Sequence, residues 1–357
     1  MTYEIQKIYV EPTNKCNLDC RTCMRNDWDE PAGFMDEAVF SRIINTVKME
    51  PASPTLFFGG VGEPLSHPRI IDMVARAGKA GCKTELISNG ILLTEERATG
   101  LINAGLNTFW VSIDGARPES YLDVRLGDHL PLILKNVDNW RKLARGKAEL
   151  GIATVFMERN SGDLEEIVHL AQELQARRFS ISNVEAYTSA LLRERLYTDK
   201  ISEEIPAEGL APPYFDKELI NPSLWEIIRR KFILPEPRHL PSGGACPFLL
   251  RKSMSIRWDG HVSPCLPLLH SHTVHFSDYS RFWGHFSLGS LKKQPLKEVI
   301  SHPSFNEFMN KLEEFDFAPC LICNACDLPD INGEDCFGHV PPACGGCLWA
   351  RGFIVCP

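Results

Sequence analysis

The sequence predicts an α/β protein with a parallel sheet, followed by a second, cysteine-rich module. Residues 1–245 alternate apolar strand-like runs with amphipathic helical stretches five times and end on a sixth strand. Nine of the thirteen cysteines fall in residues 246–357, after a stretch rich in Pro and Gly. We therefore expect a core at 1–200, a linker with a helix at 201–245 and a smaller module after it.

Six strands are predicted from short runs rich in β-branched and aromatic residues: Ile5–Val10, Thr55–Phe58, Thr84–Ser88, Thr108–Ile113, Gly151–Phe156 and Phe179–Val184. Five helices are predicted between them: Asp36–Lys48, Pro68–Ala80, Thr94–Ala104, Leu130–Leu143 and Asp163–Gln175. We expect Asp36 and Thr94 to cap their helices, and a linker helix at Trp225–Phe232. Helical crossovers imply parallel strands, in an open doubly wound sheet or a curved partial barrel, and periodicity favours neither.

Composition excludes several classes of protein. The chain has 357 residues, 44% of them hydrophobic, and a formal net charge of -8. An acidic chain without a Lys/Arg run is not expected to bind nucleic acid, and no apolar stretch approaches the ~18 residues of a membrane span. Because the first residues lack the apolar run of a signal peptide, we expect a cytoplasmic, reducing location. The cysteines then indicate metal or cluster binding rather than disulfides.

Polar side chains and cysteines follow the predicted strands. In either sheet type, ligands bind at the carboxyl ends of the strands, so these residues are expected on one face. They are Cys16, Cys20 and Cys23 after the first strand, Gly62 and Glu63 after the second, Ser88 and Asn89 after the third, Ser112 and Asp114 at the fourth, and Ser182 at the sixth.

Three cysteines within eight residues can hold three corners of one iron–sulfur cube. The flanking sequence offers no fourth cysteine, so one iron would keep an open position for an exogenous molecule. The alternative is an ordinary ferredoxin-type site completed by Cys82. Because Cys82 opens a strand, we expect it at the opposite edge of the sheet and interpret it as a buried, inert thiol.

The run Cys16-Asn17-Leu18-Asp19-Cys20-Arg21-Thr22-Cys23, with Gly62-Glu63-Pro64 one strand–helix unit later, resembles the radical S-adenosylmethionine (SAM) enzymes. Thr22 departs from the aromatic residue that many members carry. The resemblance implies a partial (β/α)6 TIM-like barrel and a 4Fe–4S cluster held by the three cysteines. It also implies that the free iron chelates the amino and carboxylate groups of SAM, whose reductive cleavage gives a 5′-deoxyadenosyl radical.

The same resemblance implies roles for the strand-end residues. Gly62 and Glu63 would hold the SAM amino group through backbone carbonyls, unless they form a simple tight turn. Ser112 and Asp114 would bind the ribose or carboxylate, unless they too form a turn. Arg125 would pair with the SAM carboxylate, against the alternative of an ordinary surface arginine. Further candidates are Ser88, Asn89 and Ser182.

The C-terminal cysteines suggest further clusters. They are Cys246, Cys265, Cys320, Cys323, Cys326, Cys336, Cys344, Cys347 and Cys356. A hairpin is predicted around Asp259-Gly260, and Cys246 with Gly260-x4-Cys265 resembles the opening of a SPASM domain. That resemblance implies two auxiliary 4Fe–4S clusters. The later spacing departs from the usual pattern, so the partition of the cysteines stays open.

A zinc ribbon is the alternative for the same cysteines. Cys323-x2-Cys326 and Cys344-x2-Cys347 have its ligand spacing, but it would leave the other five cysteines unexplained. Histidines in the same module offer another metal donor. Without fixed ligand spacing, a solvated or core-satisfied loop is favoured for them: His270, His272, His275 and His285.

The closing run, Cys344 to Pro357 (CGGCLWARGFIVCP), resembles the radical SAM maturases of tungsten-containing aldehyde ferredoxin oxidoreductases, the cofactor-modifying proteins. The implied partner is the tungsten enzyme or its tungstopterin cofactor, with a ferredoxin-type or flavodoxin-type reductant. Sulfatase-maturing relatives carry an acidic residue where this chain has Leu266. Only fifteen residues precede Cys16, so we expect no peptide-leader domain there.

Three other functions stay open. One is a maturase of a ribosomally made peptide or of another enzyme, with the same radical chemistry. The second is a non-catalytic iron–sulfur electron carrier, which would neither bind SAM nor form 5′-deoxyadenosine. The third is a zinc-stabilised scaffold, which would hold zinc rather than iron after anaerobic purification.

Overall fold

Six parallel strands form the main part of the sheet, close to the predicted ranges. They are β1 (Lys7–Val10), β2 (Thr55–Phe58), β3 (Thr84–Ser88), β4 (Thr108–Ser112), β5 (Glu149–Phe156) and β6 (Arg178–Asn183). Each strand pairs in parallel with the next one along the chain. A doubly wound sheet reverses its strand order at a switch point, whereas this order runs in one direction. The structure, a computed structural model, therefore has the (β/α)6 arrangement.

Helices connect these strands. They are α1 (Glu37–Val47), α2 (Ile70–Lys79), α3 (Glu95–Asn103), α4 (Pro118–Arg125), α5 (Leu130–Ala144) and α6 (Leu164–Glu173). The sequence did not predict α4, because this short helix buries only Tyr121 and Val124 and so has little apolar pattern. Thr94 caps α3 as predicted, accepting from the Arg97 N–H at 3.3 Å. The predicted Asp36 cap is wrong, since its side chain makes no capping hydrogen bond.

The structure describes residues 4–49, 53–197, 221–235, 246–315, 317–318, 320, 327–328, 334–338 and 344–357. Beyond β6, these ranges hold α7 (Pro222–Lys231), α8 (Pro247–Leu250), β7 (Ser253–Ile256), β8 (His261–Ser263), β9 (His272–His275), β10 (Ser280–Trp283), β11 (Gly289–Ser290), α9 (Leu296–Ser301) and α10 (Pro303–Glu314). The helix predicted at Trp225–Phe232 and the hairpin around Gly260 are thus confirmed. Within the described ranges, no helix is long and apolar enough to cross a membrane.

The cysteine-rich module extends the sheet of the core. Strand β7 pairs in parallel with β1, and β8 and β11 follow, so the full order is β11-β8-β7-β1-β2-β3-β4-β5-β6. Strands β9 and β10 form a separate antiparallel pair. The first and last core strands are also joined by the residues near 355. Ser182 on β6 accepts from the Val355 N–H at 3.1 Å, and the Cys356 Sγ lies 3.3 Å from the Tyr9 Oη on β1.

Candidate active site

A cavity of about 240 Å³ opens at the carboxyl ends of the core strands. Every predicted site residue from β1 to β4 lines it except Asp114, and Arg125 from α4 joins them. Its walls are Cys16, Leu18, Cys20, Thr22, Cys23, Gly60, Val61, Gly62, Glu63, Ile87, Ser88, Asn89, Ser112, Arg125 and Val155. The parallel topology therefore gathers residues that lie more than 100 positions apart in the sequence.

The three cysteines of the first loop are set among polar donors. The Asn89 Nδ2 lies 3.9 Å from the Cys16 Sγ, and an Arg125 Nη lies 3.8 Å from the Cys20 Sγ. Burial raises the pKa of Cys16 and raises that of Cys23 to about 11. These thiols are thus protonated at neutral pH without metal, and iron would displace their protons on binding.

The Gly62 turn packs directly on the cysteine loop. The Glu63 N–H donates to the Lys15 carbonyl at 2.8 Å. A Cβ at Gly62 would lie 2.2 Å from the Thr13 carbonyl oxygen and 2.7 Å from the Lys15 carbonyl oxygen. Real Cβ atoms do not approach backbone so closely, so only glycine permits this contact.

The Glu63 side chain ties the turn to the end of β3. Its Oε1 accepts from the Ser88 hydroxyl at 2.8 Å and the Leu65 N–H at 2.9 Å, and its Oε2 accepts from the Asn89 N–H at 2.8 Å. Burial raises the pKa of Glu63, although these donors favour the charged carboxylate. The Glu63 carboxylate and Ser88 hydroxyl thus hold the wall in shape.

Asp114 lies behind Arg125 rather than in the cavity wall. Its fully buried Oδ2 is 2.5 Å from an Arg125 Nη, and its Oδ1 accepts from the Val155 N–H at 2.8 Å. Burial opposes the charge of Arg125, but the Asp114 carboxylate raises the pKa of Arg125 above its ordinary value. The buried Arg125 Nε has no hydrogen-bond partner among the described residues. A carboxylate-bearing ligand would satisfy this donor.

Two predicted residues lie away from this cavity. The Ser182 hydroxyl donates to the Asn183 carbonyl at 3.1 Å and accepts from the Val355 N–H, because residues near 355 cover the end of β6. Cys82 precedes β3 and is buried, at the opposite edge from the cysteine loop, as expected. Burial raises the pKa of Cys82 to about 11, which fits an inert thiol.

Four C-terminal cysteines surround a second, apolar cavity of about 30 Å³. Cys246, Cys265, Cys344 and Cys347 share its wall with Leu249, Trp283, Met309 and Trp349, among others. Burial raises the pKa of Cys347 to about 12 and the pKa values of the other three above the ordinary thiol value. Four sulfur donors in a water-poor cavity match the ligand set of an iron–sulfur cluster.

Of the other predicted cysteines that the structure describes, Cys320, Cys336 and Cys356 do not line this wall. Cys320 is buried and Cys336 is exposed. Cys323 and Cys326, half of the zinc-ribbon alternative, lie outside the described residues. In the part of the chain that the structure describes, no three His, Cys, Asp or Glu side chains form a group suited to one metal ion. The Cys356 thiol contacts the Tyr9 Oη and lies 3.6 Å from an Arg251 Nη.

Residues 10–171 match the Radical SAM superfamily, and residues 246–327 match the SPASM iron–sulfur cluster-binding domain. The chain is 31% identical over 335 residues to the PqqA peptide cyclase of Ruegeria pomeroyi, covering 92% of this chain and 81% of that protein. This chain belongs to the radical SAM superfamily. It is therefore an enzyme that uses SAM and 4Fe–4S clusters.

Other relatives of this radical SAM enzyme match over almost its whole length. The tungsten-containing aldehyde ferredoxin oxidoreductase cofactor-modifying protein of Pyrococcus furiosus is 27% identical over 359 residues, covering 98% of this chain and 96% of that protein. The crystal structure of Streptococcus suis SuiB bound to the precursor peptide SuiA has a TM-score of 0.64 and 15% identity. That match covers 90% of this chain and 70% of SuiB, and it indicates a shared fold.

The residues of the radical SAM cavity fit both cofactors. Three thiols on one loop match a cluster that leaves one iron without a protein ligand. The unpartnered Arg125 Nε beside Cys20 matches a ligand carboxylate, and the Asn89 amide and Ser112 hydroxyl add polar groups to the same wall. These thiol, guanidinium, amide and hydroxyl groups of the chain are the reason that the cavity suits a cluster and SAM.

Sequence reasoning missed part of the cavity wall and the side chains that support it. Ile87 and Val155 line the cavity; in β3 and β5 they alternate with fully buried neighbours, so period-2 patterning could have assigned them to this face. Glu11, which accepts from the Val61 N–H at 3.1 Å, follows β1 without any motif. No local signal distinguishes such a carboxylate from a surface one.

Replacing Gly62 should weaken SAM binding. In Gly62→Ala, the new methyl group would force the turn away from the Thr13 and Lys15 carbonyls, so we expect SAM affinity to fall at least about tenfold. Titration of the reduced-cluster EPR spectrum with SAM measures this. Gly162→Ala is the matched control, because a Cβ there meets no atom within 4 Å. Equal SAM affinity in both variants would contradict the packing argument.

Proposed function

We propose that this radical SAM enzyme acts in the maturation of a tungsten-containing aldehyde ferredoxin oxidoreductase, by modifying that protein or its tungstopterin cofactor. The similarity to the Pyrococcus furiosus cofactor-modifying protein supports this most, because it extends over nearly the full length of both chains. The closing run from Cys344 to Pro357 points to the same group. Leu266, in place of an acidic residue, argues against a sulfatase-maturing role.

We assign the first cavity to the catalytic cluster and SAM. Cys16, Cys20 and Cys23 would ligate the cluster, while Arg125 would donate to the SAM carboxylate. When bound, the cluster supplies the electron that splits SAM into methionine and a 5′-deoxyadenosyl radical, which abstracts a hydrogen atom from the substrate. The carbonyls of Gly62 and Glu63 would receive the SAM amino group.

The other cavity-wall residues have supporting roles in this proposal. Ser112 and Asn89 would contribute polar contacts to SAM from the cavity wall. Ser88 supports the Glu63 carboxylate, and Asp114 holds Arg125 in place. The hydroxyl of Ser182 is directed to residues near 355, so it would shape the end of β6 rather than bind the cofactor.

We infer a partition of the C-terminal cysteines that the sequence leaves open. Cys246, Cys265, Cys344 and Cys347 would hold one auxiliary 4Fe–4S cluster, since they share one enclosed wall. A second cluster would draw its ligands from Cys320, Cys323, Cys326 and Cys336. Cys356 would then be the free thiol, because its Sγ is engaged by Tyr9 and Arg251.

The proposed organisation has a core at 1–200, a linker at 201–245 and the auxiliary module at 246–357. The sheet continues from β1 into β7, so the module is attached to the core by a full strand pairing. A substrate would approach the first cavity beside the module, where enclosure protects a carbon radical from solvent. A ferredoxin-type or flavodoxin-type protein would deliver the electron.

Peptide modification is the second candidate. The 31% identity to the Ruegeria pomeroyi PqqA peptide cyclase favours it, although that match covers less of both chains than the match to the cofactor-modifying protein does. Both candidates require the same cavity and the same radical. They differ only in the molecule that is presented to it.

Loss of one cysteine of the first loop should remove catalysis alone. In Cys20→Ala, we expect 5′-deoxyadenosine formation with SAM and dithionite to fall below detection, because the catalytic cluster loses a ligand. Iron from the auxiliary clusters should remain, as measured by iron analysis and absorbance. Cys82→Ala is the control and should cleave SAM normally. Retained SAM cleavage in Cys20→Ala would remove the catalytic assignment.

Iron content should distinguish a cysteine that ligates an auxiliary cluster, such as Cys265, from Cys356, the proposed free thiol. Near three 4Fe–4S clusters per chain are expected in the reconstituted protein. Cys265→Ser should lose about four iron atoms per chain, whereas Cys356→Ser should lose none. Iron and sulfide assays after anaerobic reconstitution test this. Equal losses in the two variants would refute the partition, and zinc in place of iron would favour the ribbon alternative.

The substrate is tested with the proposed partner. The reconstituted enzyme is incubated anaerobically with SAM, dithionite and a tungsten-containing aldehyde ferredoxin oxidoreductase or its isolated cofactor. Mass spectrometry is expected to show a changed mass of the protein or cofactor, with 5′-deoxyadenosine formed in proportion. The Cys20→Ala variant is the control. Formation of 5′-deoxyadenosine without any change in the partner would leave the chemistry standing but reject this substrate.

A further inference from the structure

A buried histidine of the auxiliary module lies between two carboxylates of the core. The His270 side chain is fully buried. Its Nε2 is 2.9 Å from both carboxylate oxygens of Glu11, and its Nδ1 is 2.7 Å from the Glu30 Oε2. The two carboxylates come from opposite sides of the three-cysteine loop, five residues before Cys16 and seven residues after Cys23.

With both carboxylates ionised, this geometry requires a doubly protonated ring. An ionised carboxylate only accepts hydrogen bonds, so both ring nitrogens of His270 must donate, and a neutral imidazole has only one N–H. Burial opposes a charge on the ring, but the Glu11 and Glu30 carboxylates raise the pKa of His270 to about 9. The contacts are therefore charge-assisted, the stronger class of hydrogen bond.

Glu11 connects the histidine to the turn that precedes Gly62. Its Oε1 accepts from the Val61 N–H at 3.1 Å as well as from the histidine ring. A Cβ at Gly60 would lie 2.7 Å from the Glu11 Cγ, so the turn is pressed onto this side chain. The orientation of the Glu11 side chain therefore fixes the position of residues 60–61 in the cavity wall.

Glu30 connects the same histidine to the chain that leaves the cysteine loop. Its Oε1 accepts from the Ser271 N–H at 3.2 Å, and the Asp27 Oδ2 accepts from the Thr273 N–H at 3.0 Å. The Trp28 ring packs edge-on to the His270 ring, with centroids 4.3 Å apart. Residues 270–273 of the auxiliary module, together with Arg257, whose Nη lies 3.1 Å from the Glu30 Oε2, therefore hold the segment that follows Cys23.

We propose that His270 is a positioning residue that joins the auxiliary module to both loops of the SAM cavity, so that SAM affinity depends in part on the charge of this imidazole ring. The inference rests on the assignment of the first cavity to SAM. His270 is 0% exposed and does not line the cavity, so its effect on SAM passes through its partners Glu11 and Glu30.

The charged groups around His270 set the pH range over which it affects SAM affinity. Because the carboxylates hold the pKa of His270 at about 9, the ring of the folded protein is charged at neutral pH and loses its charge as the pH rises through about 9, so its effect on SAM affinity is lost over that range. Burial lowers the pKa of the neighbouring His272 to about 4, so that ring stays neutral throughout. The charged and titratable groups around the His270 ring are Glu11, Asp27, Glu30, Arg257, Asp259 and His272.

The test compares two histidine variants of the reconstituted enzyme. His270→Gln is expected to weaken SAM binding about tenfold at pH 7.5, because a neutral amide cannot replace two charge-assisted bonds. His169→Gln is the matched control, since this exposed ring on α6 lies 3.9 Å from the Glu165 carboxylate. SAM's own amino group titrates in this range, so the two proteins are compared as a ratio: between pH 7.5 and 10, the advantage of wild type over His270→Gln in SAM affinity should fall towards one. Equal pH dependence in both proteins would overturn the proposal.

Amide hydrogen exchange without SAM gives a readout independent of catalysis. His270→Gln should speed exchange at 60–63 and at 26–30, with His169→Gln unchanged. If His270→Gln does not fold, Glu30→Gln removes one carboxylate only and should speed exchange at 26–30 alone. Unchanged exchange in the folded variant would overturn the proposal. A different result is that wild-type protein binds no SAM while His270→Gln still exchanges faster than wild type. That result would reject the assignment of the cavity to SAM but would support the positioning contact.

Discussion

The close contact between the Gly62 turn and the three-cysteine loop is the constraint on which the candidate site depends. Two loops that follow different strands approach until only a hydrogen atom fits between a Cα and the Thr13 carbonyl. The Glu63 N–H then reaches the Lys15 carbonyl, and the Glu63 carboxylate reaches the end of β3. One steric requirement thus joins three strand ends into a single wall beside the cluster ligands.

Buried charges around this wall orient their neighbours. An isolated buried carboxylate is costly, and each of these is compensated by specific partners. Asp114 holds Arg125, which leaves one guanidinium N–H directed at no described protein atom. Glu11 holds the Val61 N–H and receives His270 from the auxiliary module. The proposed contact between Arg125 and the SAM carboxylate depends on this arrangement.

The auxiliary module is part of the same framework. Strand β7 pairs with β1, and residues near 355 connect β6 to β1. Trp349, in the wall of the second cavity, donates to the Glu185 carboxylate at 2.9 Å, and Tyr187 donates to the same oxygen at 2.8 Å. Because Glu185 lies just beyond β6, the second cavity is anchored to the carboxyl edge of the sheet, where the first cavity opens.

The sequence by itself determined the strand–helix order, the three-cysteine loop and the Gly62 motif, because hydrophobic periodicity and ligand spacing are local properties. It did not choose between a doubly wound sheet and a barrel, nor divide the C-terminal cysteines. The sheet type depends on the order of the strands, and the partition depends on which cysteines line the same cavity. Both are set by contacts between residues that lie far apart in the sequence. The contacts of His270 were likewise visible only in the tertiary structure, since its partners Glu30 and Glu11 lie 240 and 259 positions away.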